Sequence, residues 1–298
     1  METVPLFWQS KYMNVQSTSS FFAGVSFTGR YLESTDHTLF RTWIVLERSN
    51  QELKSPCRAT FGGFFSFEID TFFSDIELAM AGLSKNHPEK FLTLYLPPEH
   101  YRFFRSKEQR RVLESLGFSC DFIDVNYSIL TKTWDHSLLS KGNRKKLRQW
   151  NESGGGIVEA SASDLNDIYE IIKINRHSLG AEPSISLEGL RKLVSSFTEN
   201  YQLFIGRVKN NIATVAVTVD THPGAKYVFF WADVAEYRNL SPVVAICSHL
   251  IEICKRDQIT VLDLGCSTDA GRPMEGPMRF KSNLGAERND KYQLSRPT

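Results

Sequence analysis

AKYVFFWADVAEYRNLSPVVAICSHLIEICKRDQITVLDLGCS, residues 225–267, decides the fold. Its first ten residues are rich in aromatic and β-branched side chains and read as a strand. A helix follows over 241–257, with Ser241 as its cap and Pro242 at its first position. Val243, Cys247, Leu250 and Cys254 recur at helical spacing, so both cysteines belong to a packed stripe. His249 lies one position off that stripe and reads as structural or solvated, as does His177. Residues 259–267 are almost continuously apolar and read as a central strand.

Working outward, 201–209, 211–220 and 225–234 form three antiparallel strands. Asn210-Asn211 and His222-Pro223-Gly224 are their turns. Before them stand a strand at 157–161, a helix at 164–179 capped by Ser163 or Asp164, and a second helix at 186–197. After them, GRPMEGPMRFKSNLGAE (271–287) reads as a loop built on Pro273, Pro277 and their neighbouring glycines. A short helix over 279–283 follows, then Gly285 as its stop, then a last strand around 292–294.

The first half is mixed α/β. Strands are expected at 41–47, 57–69, 91–98 and 118–130, with helices at 70–86 and 106–117. In the first helix Phe72, Ile76, Ala79, Met80 and Leu83 share a face. The Gly62-Gly63 pair marks a bulge or a close backbone approach. KGNRKKLRQWNESGGG (141–156) packs five basic residues into eight positions before three glycines. That break sets the expected domains at 1–138 and 139–298.

At 298 residues the chain suits two domains of ordinary size, and its 41% hydrophobic, 23% charged composition is that of a globular protein. Thirty-five Lys and Arg oppose 34 Asp and Glu, so no overall basic field exists for gripping DNA. The five cysteines, Cys57, Cys120, Cys247, Cys254 and Cys266, are odd in number and form no CxxC pair. They read as reduced thiols, and with no clustered His or Cys no metal site is expected. No signal peptide or membrane-spanning run is seen, and a cytoplasmic protein is expected.

The order strand, two helices, three antiparallel strands, helix, strand, short helix, strand resembles the GNAT acyltransferase fold. The resemblance implies an α/β architecture with a mixed sheet. The fourth and fifth strands of that fold splay, and acyl-CoA lies between them with its pyrophosphate at the start of the next helix. Helix N-termini suit anions because their N–H groups are unpaired. Glu236-Tyr237-Arg238 matches the family turn there, whereas Asn239, Ser241 and Val243 stand where glycines are usual and Pro242 removes a donor. Such departures resemble the FemAB-like branch, related to Fem-type aminoacyltransferases of peptidoglycan bridges. Further similarities are tandem GNAT-like halves with the first divergent, a basic helix carrying Arg144 and Arg148, and the closing Phe280-Lys281 and Gly285. FGGF (61–64) and LPPEHY (96–101) also look family-like.

The resemblance implies an N-acyltransferase taking acetyl-CoA or another acyl-CoA as donor and no metal. Its acceptor would be an amine on a small molecule or on a peptidoglycan or polysaccharide precursor. Lys281 would neutralise charge near the reacting carbonyl, against the plainer reading of an exposed lysine. Asp233 or Glu236 would be the base. Ala232, Val234, Arg238, Asn239, Leu240 and Ser241 would hold the donor, and Tyr237, Ser267 and Arg144 the acceptor side. Tyr237 could also protonate a thiolate leaving group, although a packed aromatic is its plainer reading, and Cys266 reads as simple lining. An aminoacyl-tRNA donor and a catalytically degenerate binding scaffold are the alternatives. Missing glycines favour the tRNA donor, while near-neutral charge and the lack of a long helical arm oppose it.

Overall fold

The structure is a computed structural model that describes residues 20–48, 51–55, 62–88, 90–222 and 224–297. The N-terminal stretch, positions 57–61 of the expected 57–69 strand (Cys57 among them) and Pro223 of the expected turn lie outside the described residues. The chain packs as two compact units. One holds the described residues through 126 together with 268–273 and 289–297. The other holds Tyr127–Ser267 and Met274–Arg288.

In the first unit lie β1 (Ser20–Ser26), β2 (Tyr31–Ser34), β3 (Phe40–Arg48), β4 (Glu52–Lys54), β5 (Phe65–Ser66), α1 (Phe72–Asn86), β6 (Phe91–Tyr95) and α2 (Ser106–Ser115). β7 (Ser119–Leu130) starts here and ends in the second unit. The sheet order is β2-β1-β3-β4-β6, with β5 on the β3 edge. The apolar face read from the sequence is the buried one: Phe72, Ile76, Ala79, Met80 and Leu83 join Phe21, Ile44, Leu92 and Leu94 in one core. That stripe also carries Asp75, whose carboxylate takes hydrogen bonds from Arg41, Thr42 and Thr71. Burial alone would raise its pKa, but these donors outweigh it and hold the carboxyl below the usual carboxylate range. Gly62 approaches a neighbouring strand closely, its N–H donating to the Tyr95 carbonyl.

The second unit contains α3 (Lys141–Glu152), β8 (Gly155–Ala160), α4 (Leu165–Ser178), α5 (Leu187–Ser196), β9 (Tyr201–Val208), β10 (Asn211–His222), β11 (Ala225–Asp233), α6 (Pro242–Arg256) and β12 (Val261–Cys266). After the short hairpin strands β13 (Thr268–Asp269) and β14 (Arg272–Pro273) come α7 (Glu275–Asn283) and β15 (Glu287–Pro297). The order here is β7-β12-β11-β10-β9-β8. β8, β9, β10 and β11 pair antiparallel in succession, and β11 and β12 pair parallel. The antiparallel neighbours are joined by turns or by the α4–α5 pair, while the parallel pair needs a crossover, which α6 supplies. Cys247 and Cys254 are buried on α6, as the helical stripe requires.

Four boundaries differ from the sequence reading. Of the expected 57–69 strand, only Phe65–Ser66 is strand among the described residues, because the chain turns away after two pairs with β3. The units part at Asn126/Tyr127, within β7, rather than at 138/139. The last strand is longer than expected, and its Gln293–Pro297 segment pairs antiparallel with β6 of the first unit. Strand pairing with a segment two hundred residues away leaves no local sequence signal. Finally, α7 begins at Glu275, so Gly276 and Pro277 lie in its first turn rather than in a loop. Proline is tolerated there because first-turn N–H groups have no intrahelical partner. Gly285 does end this helix. It has φ +77°, and the Gly285 and Ala286 amides close back on the Ser282 and Lys281 carbonyls.

Candidate active site

β11 and β12 stay paired for only three positions, Ala225–Tyr227 against Val261–Asp263. Just beyond, the β10–β11 register shifts between Val217 and Thr218, which leaves Phe229 as an extra residue in β11. A bulge of this kind raises the local twist and bends its strand. On the other side, Gly265 turns the end of β12 with φ +79°, and its N–H is taken by the Asp263 carboxylate at 2.8 Å. Only glycine enters that left-handed region without strain. The two strands therefore part, and a cleft of 690 Å³ opens between Val228–Asp233 and Leu264–Cys266.

One end of the cleft is the start of α6. The preceding 3-10 turn, Ala235–Leu240, has three residues per turn, so positions three apart share a face. Tyr237 and Leu240 form one face and pack on the Trp150, Val208, Ala213 and Ala245 cluster. Arg238 and Ser241 form the next face and line the cleft. Glu236 and Asn239 form the third and are exposed. The Asn239 carbonyl accepts from the Lys146 ammonium of α3, which holds the turn in place.

Ser241 adopts φ +50°, ψ +58°, the conformation a glycine would supply at this point of the turn. It stands at the N-cap position, but its hydroxyl makes no capping bond. Pro242 brings no N–H, and the Val244 N–H closes on the Ser241 carbonyl at 2.9 Å. This end of the cleft is lined by Arg238, Ser241 and Val243, so it offers one guanidinium and a hydroxyl more than a fan of backbone donors.

Asp233 ends β11 inside the cleft. Its Oδ1 accepts from Asn175 Nδ2 at 2.9 Å and from Arg238 Nε at 3.1 Å. The opposite wall is held by Lys281, which is only 6% exposed. Its Nζ donates to the Gly265 and Cys266 carbonyls at 2.8 Å each. Burial pushes its acidity to about 8, with Asp263 acting the other way and Arg176 adding to the drop. Tyr227, Phe229 and Trp231 recur at strand spacing along the cleft, and Phe280 meets Trp231 edge-on at 5.8 Å.

Of the residues singled out from the sequence, Ala232, Asp233, Arg238, Ser241 and Lys281 meet in this cleft. The remaining candidates lie elsewhere. The Val234 N–H is taken by the Ala213 carbonyl. Leu240 and Tyr237 face the Trp150 cluster. Arg144 donates to the Ser137 and Leu139 carbonyls, tying down the entry to α3. Ser267 is fully buried outside the cleft lining. Sequence reading passed over Asn175, Arg176, Trp231 and Phe229. The only trace of the first two was a polar pair, Asn175-Arg176, in the last turn of a helix whose inner face had already been assigned. Among the described residues, no group of three His, Cys, Asp or Glu could hold a metal ion, and no helix is long and apolar enough to cross a membrane.

A parallel strand pair parts beside the start of its crossover helix, and the chain has a mixed α/β fold that it shares with the solved structure of FemX. Among solved structures it is similar to FemX, with TM-score 0.67 and 12% identity over 99% of this chain and 95% of that one. It is also similar to the L-PGS structure from Bacillus licheniformis, with TM-score 0.62 and 12% identity over 93% and 84%. The C-terminal domain of a putative lysylphosphatidylglycerol synthetase from Agrobacterium fabrum gives TM-score 0.61 and 9% identity over 97% and 91%. At these identities the likeness is one of fold. No family model matches the sequence, and no curated protein matches it.

Proposed function

We propose that the chain is an N-acyltransferase that moves an acyl group, acetyl in the first instance, from CoA to an amine of a small molecule or of an envelope polysaccharide or peptidoglycan precursor. The observation that supports this most is the cleft itself, which runs between the Arg238–Ser241 end and the Gly265–Lys281 wall. An extended thioester carrier fits between parted strands, with its phosphates against Arg238 and the Ser241 hydroxyl.

In the reaction, the neutral amine nitrogen attacks the thioester carbonyl carbon. A C–N bond forms, the C–S bond breaks, and CoA leaves as a thiolate that solvent protonates. The surplus amine proton passes to the Asp233 carboxylate. Lys281 acts by position: bound to two carbonyls, it fixes the turn after β12 and sets a positive charge against that wall. Acceleration then comes chiefly from holding amine and thioester together.

Titration with acetyl-CoA tests the reading. Ligand at a hundred times its Kd stabilises by about 2.7 kcal/mol and raises the melting temperature by several degrees. An unmoved transition removes CoA as donor. A second reading, an aminoacyl ester of RNA as donor, is favoured by the few backbone donors at the start of α6 and by Lys141, Lys145 and Arg148, which stand exposed on α3. Salt-sensitive binding of an aminoacylated RNA stem, with no response to acetyl-CoA, supports it. No response to either carrier leaves a binding scaffold.

A further inference from the structure

Arg238 has two anions to serve. Its guanidinium is bound to Asp233 at 3.1 Å, yet it is also the cation placed for the donor phosphate. The Arg238 side chain is 47% exposed while Asp233 is 19% exposed, so the arginine is the mobile partner. Asp233 has an independent anchor, because Asn175 Nδ2 bonds both its carboxylate at 2.9 Å and its backbone carbonyl at 3.3 Å. A phosphate that draws Arg238 away therefore leaves the carboxylate in place, facing the cleft with its cation removed.

Resting on the acyltransferase reading, we propose that the Arg238–Asp233 pair is a donor-operated latch. Donor phosphate captures Arg238 and thereby uncovers Asp233 for the incoming ammonium. Before the donor arrives, the carboxylate is neutralised by Arg238 and attracts the amine weakly. Once uncovered, it draws the ammonium in; solvent takes the proton that frees the amine, and the carboxylate takes the one released on attack. Asn175 is a positioning residue that keeps the carboxylate aimed throughout.

A double-mutant cycle on CoA affinity tests the latch, using calorimetry with CoA alone. Opening a half-exposed ion pair opposes capture of the phosphate, so Asp233→Asn is expected to tighten CoA binding about two- to five-fold. Arg238→Gln is expected to weaken it, and Asp233→Asn added to Arg238→Gln is expected to change nothing further. Equal tightening in both backgrounds would show a general charge effect and overturn the latch. Unchanged or weaker binding by Asp233→Asn alone would overturn it as well. A wild type that ignores CoA rejects CoA as donor, and the same cycle is then read with inorganic pyrophosphate. Absence of binding to both anions removes latch and donor site together. As a second readout, the carboxyl carbon-13 resonance of Asp233 is expected to shift on CoA addition in the wild type and in Asn175→Ala, but not in Arg238→Gln.

Discussion

Replacing Lys281 by methionine isolates the most unusual charge in the second unit. The ammonium is 6% exposed and holds two backbone carbonyls at 2.8 Å. Methionine keeps most of the stem volume and removes charge and donors together. The loss of two buried bonds costs about 1–3 kcal/mol for each carbonyl left bare, offset by relief from burying a charge. That balance sets a pH-independent offset, and the pH dependence on top of it has a definite sign. Burial pushes the folded-state acidity of Lys281 from 10.5 to about 8. Between those values the unfolded chain holds a proton that the folded chain has released, so wild-type stability rises with pH relative to a variant without the group. The full effect is on the order of 3 kcal/mol, of which about 2 kcal/mol falls between pH 7 and pH 9.5. Urea unfolding of both proteins at the two pH values gives the difference, and tyrosine titrations common to both cancel. A wild-type-minus-variant stability that stays flat from pH 7 to pH 9.5 would refute the buried, carbonyl-bound ammonium.

Other expectations follow from the same geometry. Gly265→Ala forces a Cβ into φ +79°, which costs about 1–3 kcal/mol in urea unfolding and displaces the β12 wall, so carrier binding weakens as well. Arg238→Gln removes a charged donor and weakens CoA binding about ten- to a hundred-fold by calorimetry, with the melting temperature of the free protein nearly unchanged. Tyr237→Phe leaves turnover within about two-fold, because the ring packs on the Trp150 cluster; Tyr237→Ala loses about 3–5 kcal/mol of stability instead. A large turnover loss in Tyr237→Phe would instead show that the hydroxyl takes part in the reaction.

Much of the second unit was legible because local rules agree there. Periodicity placed the buried face of α6, and Pro242 and Ser241 marked its start. Gly285 stopped α7 for the reason a left-handed residue stops helices. The departures from a glycine-rich turn were legible too, but their consequence was not. Ser241 takes the glycine conformation itself, and only backbone angles reveal that.

Side-chain direction was the weak point. Tyr237, Arg238, Asn239 and Leu240 all qualified by position, and the three-residue period of a 3-10 turn then sent them to different surroundings. Lys281 read as a residue pointing into the cleft, whereas its ammonium turned to the carbonyls ending β12. Arg144 went to the carbonyls before α3 rather than to a substrate. Each outcome depends on which acceptor another segment brings near, and spacing along one element carries no record of that.

By itself the sequence determined the element types, the apolar faces, the β11–α6–β12 crossover and the family likeness, since these follow from propensities and periods within a dozen residues. Tertiary structure alone decided that β11 and β12 separate after three paired positions, that β15 joins the sheet of the first unit, and that Asn175, Asp233 and Arg238 meet. The strand separation is a matter of register, while Asn175 reaches Asp233 across 58 positions of chain and β15 reaches β6 across still more. Chain-distant partners are chosen by the packing of whole faces, which no short window of residues encodes.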